Sequence, residues 1–437
     1  MNGDVRSNVS GSARTEFTDK PPHAASVLSQ NLALAAELEE LLSVVEPASV
    51  ANILLQRAFA HGATDIHLDP TTLGMRIRFR IDGILQDILP IPAGKAAILM
   101  SRIRVMAGMD ITDRRLPRDG AIAAEKFPGL ARDIRVGSSL TVKGERLVLR
   151  LMPDSENLNS MASLGFYDDQ TAAVERLLRA PYGLILVVGP VGCGKSTTVY
   201  SLLSELNSPE KSLVTIEDPV ERRIPGANQI QIDNKTGLNF VTALRGTLRQ
   251  DPNILAIGEI RDAETAEIAC RAATSGVLVF STLHANNTAS AVDVLRGFGI
   301  SSGAIADCLR GVISQRLVRK ICESSREVIV ADEHARQLLR IGGTEPMQIA
   351  SGIPTDTNFH TGYSGRTAVF EVMELTDPLQ DAVHRGEPSF RIRQEAIKGG
   401  MISLEDSTRR KVLDKVTSVK ELEHVITDTD RSPSVRD

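Results

Sequence analysis

Leu184-Ile-Leu-Val-Val188 runs directly into Gly189-Pro190-Val191-Gly192-Cys193-Gly194-Lys195-Ser196, and Thr197-Thr-Val-Tyr-Ser-Leu-Leu203 follows. An apolar strand, a loop of the pattern G-x-x-x-x-G-K-[ST] and a helix therefore stand in that order. Glycines in such a loop let backbone N–H groups converge on phosphate oxygens, and the helix N-terminus adds partial positive charge. Gly189 to Thr197 form the candidate nucleotide cradle. Lys195 is placed to reach the β- and γ-phosphates of ATP, and the Ser196 hydroxyl to ligate Mg²⁺.

Working outward, Leu213-Val-Thr-Ile-Glu217-Asp218-Pro219-Val-Glu221 is a second apolar strand, and it ends in carboxylates. Ile254-Leu-Ala-Ile-Gly258-Glu259 is a third, and Val277-Leu-Val-Phe-Ser-Thr-Leu-His284 a fourth. Short apolar strands alternating with helical stretches from about 166 to 320 imply a parallel sheet with crossover helices. All strand C-termini of such a sheet face one crevice, so Glu217, Asp218, Glu259 and His284 are expected beside the loop. Ser196 and Asp218 are assigned to Mg²⁺, Glu217 and Glu259 are catalytic carboxylates able to orient Mg²⁺-bound water or polarise the attacking water, and His284 is placed to sense or hydrogen-bond the γ-phosphate. Arg245 and Arg249, four apart on a predicted helix, are expected to share a face.

The rest of the chain frames this unit. Its 437 residues suggest roughly three domains. Residues 1–46 read as a disordered stretch (1–28) and a short acidic helix (32–45), 47–152 as a small α+β domain, and 153–165 as a linker. A helical region spans 321–427, and 428–437 form a frayed tail. In the small domain Met75-Arg-Ile-Arg-Phe-Arg-Ile81 alternates strictly, a half-buried strand with Arg76, Arg78 and Arg80 on its open face. Asp82-Gly83 turns it into a hairpin. A net charge of −5, 3% aromatic residues and no Trp disfavour nucleic acid as a partner. No apolar run approaches the ~20 residues of a membrane span, and no signal peptide opens the chain. The protein is expected in the cytoplasm. The four cysteines, at 193, 270, 308 and 322, lack C-x-x-C spacing, so no zinc site is expected.

From about 50 to 425 the chain resembles the type II secretion and type IV pilus assembly ATPases (the GspE/PilB type). The resemblance rests on Ala63-Thr-Asp-Ile-His-Leu68, Arg78-Phe-Arg-Ile-Asp-Gly83, Met109-Asp-Ile-Thr-Asp-Arg-Arg-Leu-Pro-Arg-Asp-Gly120 and Gly144-Glu-Arg-Leu-Val-Leu-Arg150. It continues through the phosphate loop, Glu217-Asp-Pro-Val-Glu221, Leu248-Arg-Gln-Asp-Pro252, Gly258-Glu-Ile-Arg-Asp262, Ser281-Thr-Leu-His284 and Gly362-Tyr-Ser-Gly-Arg366. It implies a RecA-like ATPase domain in which Glu217-Asp218 is the Asp box, Gly258-Glu259 the Walker B segment and His284 the His box. It further implies a homo-hexamer at the inner membrane, held there by a platform or docking protein. In the family, arginines at the places of Arg135, Arg245, Arg249 and Arg366 reach the γ-phosphate across a domain or subunit boundary.

Three departures stand out. The family's paired C-x-x-C zinc knob is absent, since Cys322 is followed by Glu-Ser-Ser. The Gly-His usual ahead of the His-box strand is Gly276-Val277, and Ala121 follows Asp119-Gly120 where arginine is usual. These two losses motivate the alternative of a nucleotide-gated regulatory subunit with weak hydrolysis. About 46 residues precede the small domain, fewer than the docking domain that many family members carry.

Overall fold

The computed structural model describes residues 47–112, 115–153, 160–343 and 345–430, together with Leu34, Ala36, Leu38 and Glu40. The expected disordered stretch 1–28, most of the expected helix 32–45, linker residues 154–159 and tail residues 431–437 lie outside the described residues.

The small domain begins with α1 (Pro47–Ala60), β1 (Asp65–Thr71), β2 (Gly74–Ile81), β3 (Ile84–Pro92) and α2 (Ala93–Met106). It continues through β4 (Arg118–Ile122), β5 (Ile134–Thr141) and β6 (Gly144–Leu151). The six strands pair antiparallel in the order β3-β2-β1-β6-β5-β4. Alternation sets the two faces of this sheet. Met75, Ile77, Phe79 and Ile81 are buried with Leu54 and Leu55 of α1 and Leu99 and Ile103 of α2. On the open face Arg76 pairs with Asp87, Arg78 with Asp69 at 2.7 Å, and Arg80 with Asp65 at 3.6 Å. The arginine row is thus neutralised by its own sheet.

The second unit opens with α3 (Asp168–Leu178), β7 (Gly183–Val188), α4 (Lys195–Leu206), β8 (Leu213–Glu217) and β9 (Asn228–Gln231). It runs on through α5 (Phe240–Thr247), β10 (Ile254–Ile257), α6 (Ala263–Thr274), β11 (Leu278–Leu283), α7 (Ser290–Gly297) and α8 (Ser302–Cys308). A long β12 (Leu309–Ile321) leads to β13 (Arg326–Val330), α9 (Glu333–Leu339), β14 (Gln348–Gly352) and β15 (Tyr363–Glu374). Helices α10 (Asp377–His384), α11 (Ser389–Lys398), α12 (Leu404–Leu413) and α13 (Val419–Asp430) complete it.

Its sheet has the order β15-β12-β7-β11-β10-β8-β9. Every pair from β12 to β9 is parallel, and β15 closes the other edge antiparallel to β12. β7, β8, β10 and β11 are buried at every residue, the pattern of a parallel sheet covered on both faces. One core packs α5, α6, α7, α8, α10 and α11 on one face, and the other packs α3 and α4 on the opposite face.

The C-terminal region is helical, and it also returns a strand to the central sheet. β15 pairs with β12 from Gly311↔Glu374 to Ile321↔Tyr363. A boundary at 320 therefore falls within one hydrogen-bonded strand pair. The same region grips the small domain. Phe359 is buried in the small-domain core with the His61 ring edge-on at 5.5 Å, and Asp82 Oδ2 accepts the Gly365 N–H at 2.8 Å. Among the described residues no helix is long and apolar enough to cross a membrane.

Candidate active site

The phosphate loop connects β7 to α4. Gly189, Gly192 and Gly194 have φ of 150°, 78° and 92°, a region that favours glycine. At Gly189 a Cβ would come within 2.7 Å of Cys193 Sγ and of the Gln315 carbonyl oxygen, so the site is closed to larger residues on steric grounds as well. Gly194 is the N-cap of α4 and supplies no side-chain cap. The first-turn N–H groups of α4 are thus left for a ligand. Lys195 Nζ donates to the carbonyls of Gly189 at 2.8 Å and Pro190 at 3.1 Å. Burial pulls its pKa down, and nearby Arg316 adds to the shift, while Cys193 and Glu259 oppose it. A desolvated ammonium held only by carbonyls, beside an uncapped helix end, fits a polyphosphate.

Parallel register brings the ends of β7, β11, β10 and β8 to one edge. Glu217 closes β8 and is buried. Its Oε2 accepts the Tyr200 hydroxyl, and its Oε1 accepts Thr215 Oγ1 at 2.5 Å and Gln229 Nε2 at 3.1 Å. Asp218, the next residue, is exposed at the same edge. Glu259 follows β10, is ion-paired to Arg261 and has Oε2 3.8 Å from His284 Nε2. The hydrogen bond to Glu259 raises the pKa of Arg261, and the charge of Asp218 adds to it. His284 follows β11 and is 55% exposed. The donor set of Ser196 and Asp218, a hydroxyl and a carboxylate on one rim, suits a hard cation such as Mg²⁺.

The four candidate arginines lie elsewhere. Arg245 is on α5, ion-paired to Glu264 at 2.7 Å. α5 ends at Thr247 with Leu248 as its C-cap, so Arg249 sits in the following turn and does not share a helical face with Arg245. The helix stops because the chain turns there, with the Arg249 N–H bonded back to Gly246 and Asp251 in the left-handed region at φ 50°. Arg135 lies on β5 opposite Arg150, and Arg366 on β15 opposite Arg319 and next to Gly365. Among the described residues none of the four hydrogen-bonds or ion-pairs with the phosphate loop, Glu217, Glu259 or His284.

Three residues at the site escaped the sequence reading. Tyr200 on α4 is the hydroxyl partner of Glu217. Gln315 on β12 donates Nε2 to the Cys193 carbonyl at 2.6 Å and accepts Thr198 Oγ1 at 2.7 Å, bracing the left-handed corner of the loop. Arg316 is buried with Nη1 on the Gln315 carbonyl at 3.0 Å and Nη2 on the Asn286 carbonyl at 2.9 Å. It ties the loop after His284 to the strand beside β7. Burial pulls the pKa of this guanidinium down.

Residues 40–424 match the family described as Type II/IV secretion system protein. The chain belongs to this family. Type II secretion system ATPase E of Vibrio cholerae is 39% identical over 400 residues, covering 90% of this chain and 79% of that protein. Type IV pilus assembly ATPase PilB of Myxococcus xanthus is 39% identical over 394 residues, covering 88% and 69%. Among solved structures, the pilus retraction motor PilT with bound ADP has a TM-score of 0.60 at 23% identity, covering 88% of this chain and 97% of that one. The Legionella pneumophila ATPase DotB has a TM-score of 0.65 at 20% identity, covering 86% and 94%. Both are likenesses of fold. They confirm the α/β architecture that the alternating strands and helices of 166–320 imply.

The cysteines are dispersed through this family fold. Cys193 is in the phosphate loop, while Cys270 and Cys308 are both buried in the motor core. The neighbouring Cys270 thiol and burial push the Cys308 thiol well up. Cys322 Sγ lies 3.2 Å from Ser324 Oγ. A closed zinc site needs four ligands, commonly thiolates at C-x₂₋₄-C spacing, and no two of these cysteines have that spacing. Elemental analysis should find no stoichiometric zinc, and chelators should leave the unfolding temperature unchanged. One zinc per chain would contradict this.

Proposed function

We propose that the chain is a Mg²⁺-dependent ATPase motor that works as a homo-hexameric ring and powers a type II secretion or type IV pilus-like machine. It would sit on the cytoplasmic side of the inner membrane, held by a platform or docking protein and not by a span of its own. One observation carries the reading most strongly: Lys195 and the uncapped N-terminus of α4 share a sheet edge with Glu217, Asp218, Glu259 and His284. Family membership supports it, as do relatives named for secretion and pilus assembly.

In this reading Gly189 to Thr197 hold the phosphates, and Ser196 and Asp218 would hold Mg²⁺, which when bound would supply positive charge to the transferring phosphoryl group. Glu217 and Glu259 orient the attacking water and draw off its proton. His284, next to Glu259, donates to the γ-phosphate. The candidate arginines Arg135, Arg245, Arg249 and Arg366 come from three regions of the chain. They complete the site only when domains or neighbouring subunits close on it.

Phosphate release at saturating ATP tests the reading. Slow turnover that requires Mg²⁺ and is abolished by chelation is the expected result, with no stimulation by DNA or RNA. Nucleotide binding without phosphate release would overturn it in favour of a nucleotide-gated regulatory subunit.

A further inference from the structure

Glu217 is anchored more completely than its neighbours at the sheet edge. An ionised carboxylate offers about four acceptor sites. Thr215 and Gln229 occupy Oε1, and Tyr200 occupies one site on Oε2. A single acceptor direction on Oε2 remains. Gln229 is itself fixed, because its Nε2 also donates to the Arg222 carbonyl at 2.9 Å and its Oε1 accepts the Ile224 N–H at 2.7 Å.

Tyr200 does more than donate. Its oxygen accepts the N–H groups of Glu221 at 3.2 Å and Arg222 at 3.3 Å. One phenol thus holds both the carboxylate and the turn that carries Asp218. The phenol belongs to α4, four residues and one helical turn after Ser196, so both lie on one face of that helix. Ser196, Tyr200, Thr215, Glu217, Gly258 and Thr282 line the same small cavity under the phosphate loop. The ring is buried at 4% exposure, and its hydroxyl pKa is pushed up by burial and by Glu217. The group therefore stays a protonated donor across the working pH range.

We infer that Tyr200 is a positioning residue. It couples the phosphate-binding helix to the acidic turn and, with Thr215, aims the one open acceptor site of Glu217 at the water that attacks the γ-phosphate. A base whose orientation is set by a separate donor follows the general logic of nucleophile, base and orienter. The inference rests on the ATPase reading of this site.

The full-length chain and the variants Tyr200→Phe, Thr215→Val and Thr215→Ser are compared by steady-state phosphate release, nucleotide binding and thermal unfolding. Tyr200→Phe keeps the buried ring and loses only the hydroxyl. It should lower kcat about tenfold or more, the effect of one hydrogen bond to a charged group, with KM for ATP unchanged. Thr215→Val should do the same through the other oxygen, and Thr215→Ser, which keeps a hydroxyl, should be impaired less. Tyr200→Phe with the parent kcat, or a loss that appears in KM, overturns the inference. If Tyr200→Phe does not fold, the Thr215 pair decides: equal activity of Val and Ser variants overturns it. A parent chain that binds ATP without hydrolysing it would fail the functional reading instead, and the two failures are separable.

Discussion

Glu259→Gln is expected to bind ATP like the parent chain and to release phosphate at least about 100-fold more slowly. The carboxylate stands at the end of β10, 21% exposed, with His284 Nε2 at 3.8 Å and Arg261 paired to it. The substitution preserves shape and removes charge. It takes away the acceptor for a water proton and leaves the Arg261 guanidinium without its counter-charge. Nothing in the phosphate loop contacts this side chain by a hydrogen bond, so affinity should persist. Titration with a fluorescent ATP analogue and steady-state phosphate release measure the two properties separately. Turnover at the parent rate would show that Glu259 is not the hydrolytic carboxylate.

Lys195→Ala should lose affinity as well as turnover. The ammonium is the loop's own cation, held by the Gly189 and Pro190 carbonyls and partly desolvated there. A ligand phosphate replaces those carbonyls as its partner at little cost, since the charge is already out of water. Removing it forfeits a charge-assisted hydrogen bond of roughly 1.5–3 kcal/mol, or about a tenfold to hundredfold weaker affinity. Turnover should fall below detection, because the same charge stabilises the leaving phosphates. Binding at parent affinity would place the nucleotide elsewhere.

The contrast between these two variants follows a division already visible in the sequence. The phosphate loop and the acidic strand ends are local signals, a short pattern flanked by apolar runs, and a parallel sheet has to bring them to one edge. The half-buried strand at 75–81 was equally legible, because period-2 alternation is a property of neighbouring residues. What stayed hidden depends on distance along the chain. Tyr200 meets Glu217 across 17 residues, and Gln315 meets Cys193 across 122. Each of those residues reads locally as an ordinary helix or strand position.

β15 shows the same limit. Its central run, Ala368 to Met373, is buried at every residue, so alternation that would mark a strand is missing, and a short apolar run is ambiguous between strand and helix. Only its pairing with β12 identifies it. Arg249 lies outside α5 for a local reason: the helical period continues past Thr247 in the sequence, but there the chain turns toward the left-handed Asp251 and Pro252.

The shared site is tested most directly by mixing. Arg249 is exposed and makes no ion pair among the described residues, whereas Arg245 and Arg261 are paired. In the proposed ring its charge would be free to reach a neighbouring subunit's nucleotide. Arg249→Ala and Lys195→Ala chains, each inactive alone and each folded by thermal unfolding, are combined at increasing total concentration and assayed for phosphate release. The proposed ring predicts that the mixture regains activity, and that the parent chain's specific activity rises with its concentration. An Arg249→Ala chain that hydrolyses ATP at the parent rate, with parent specific activity independent of concentration, would contradict it.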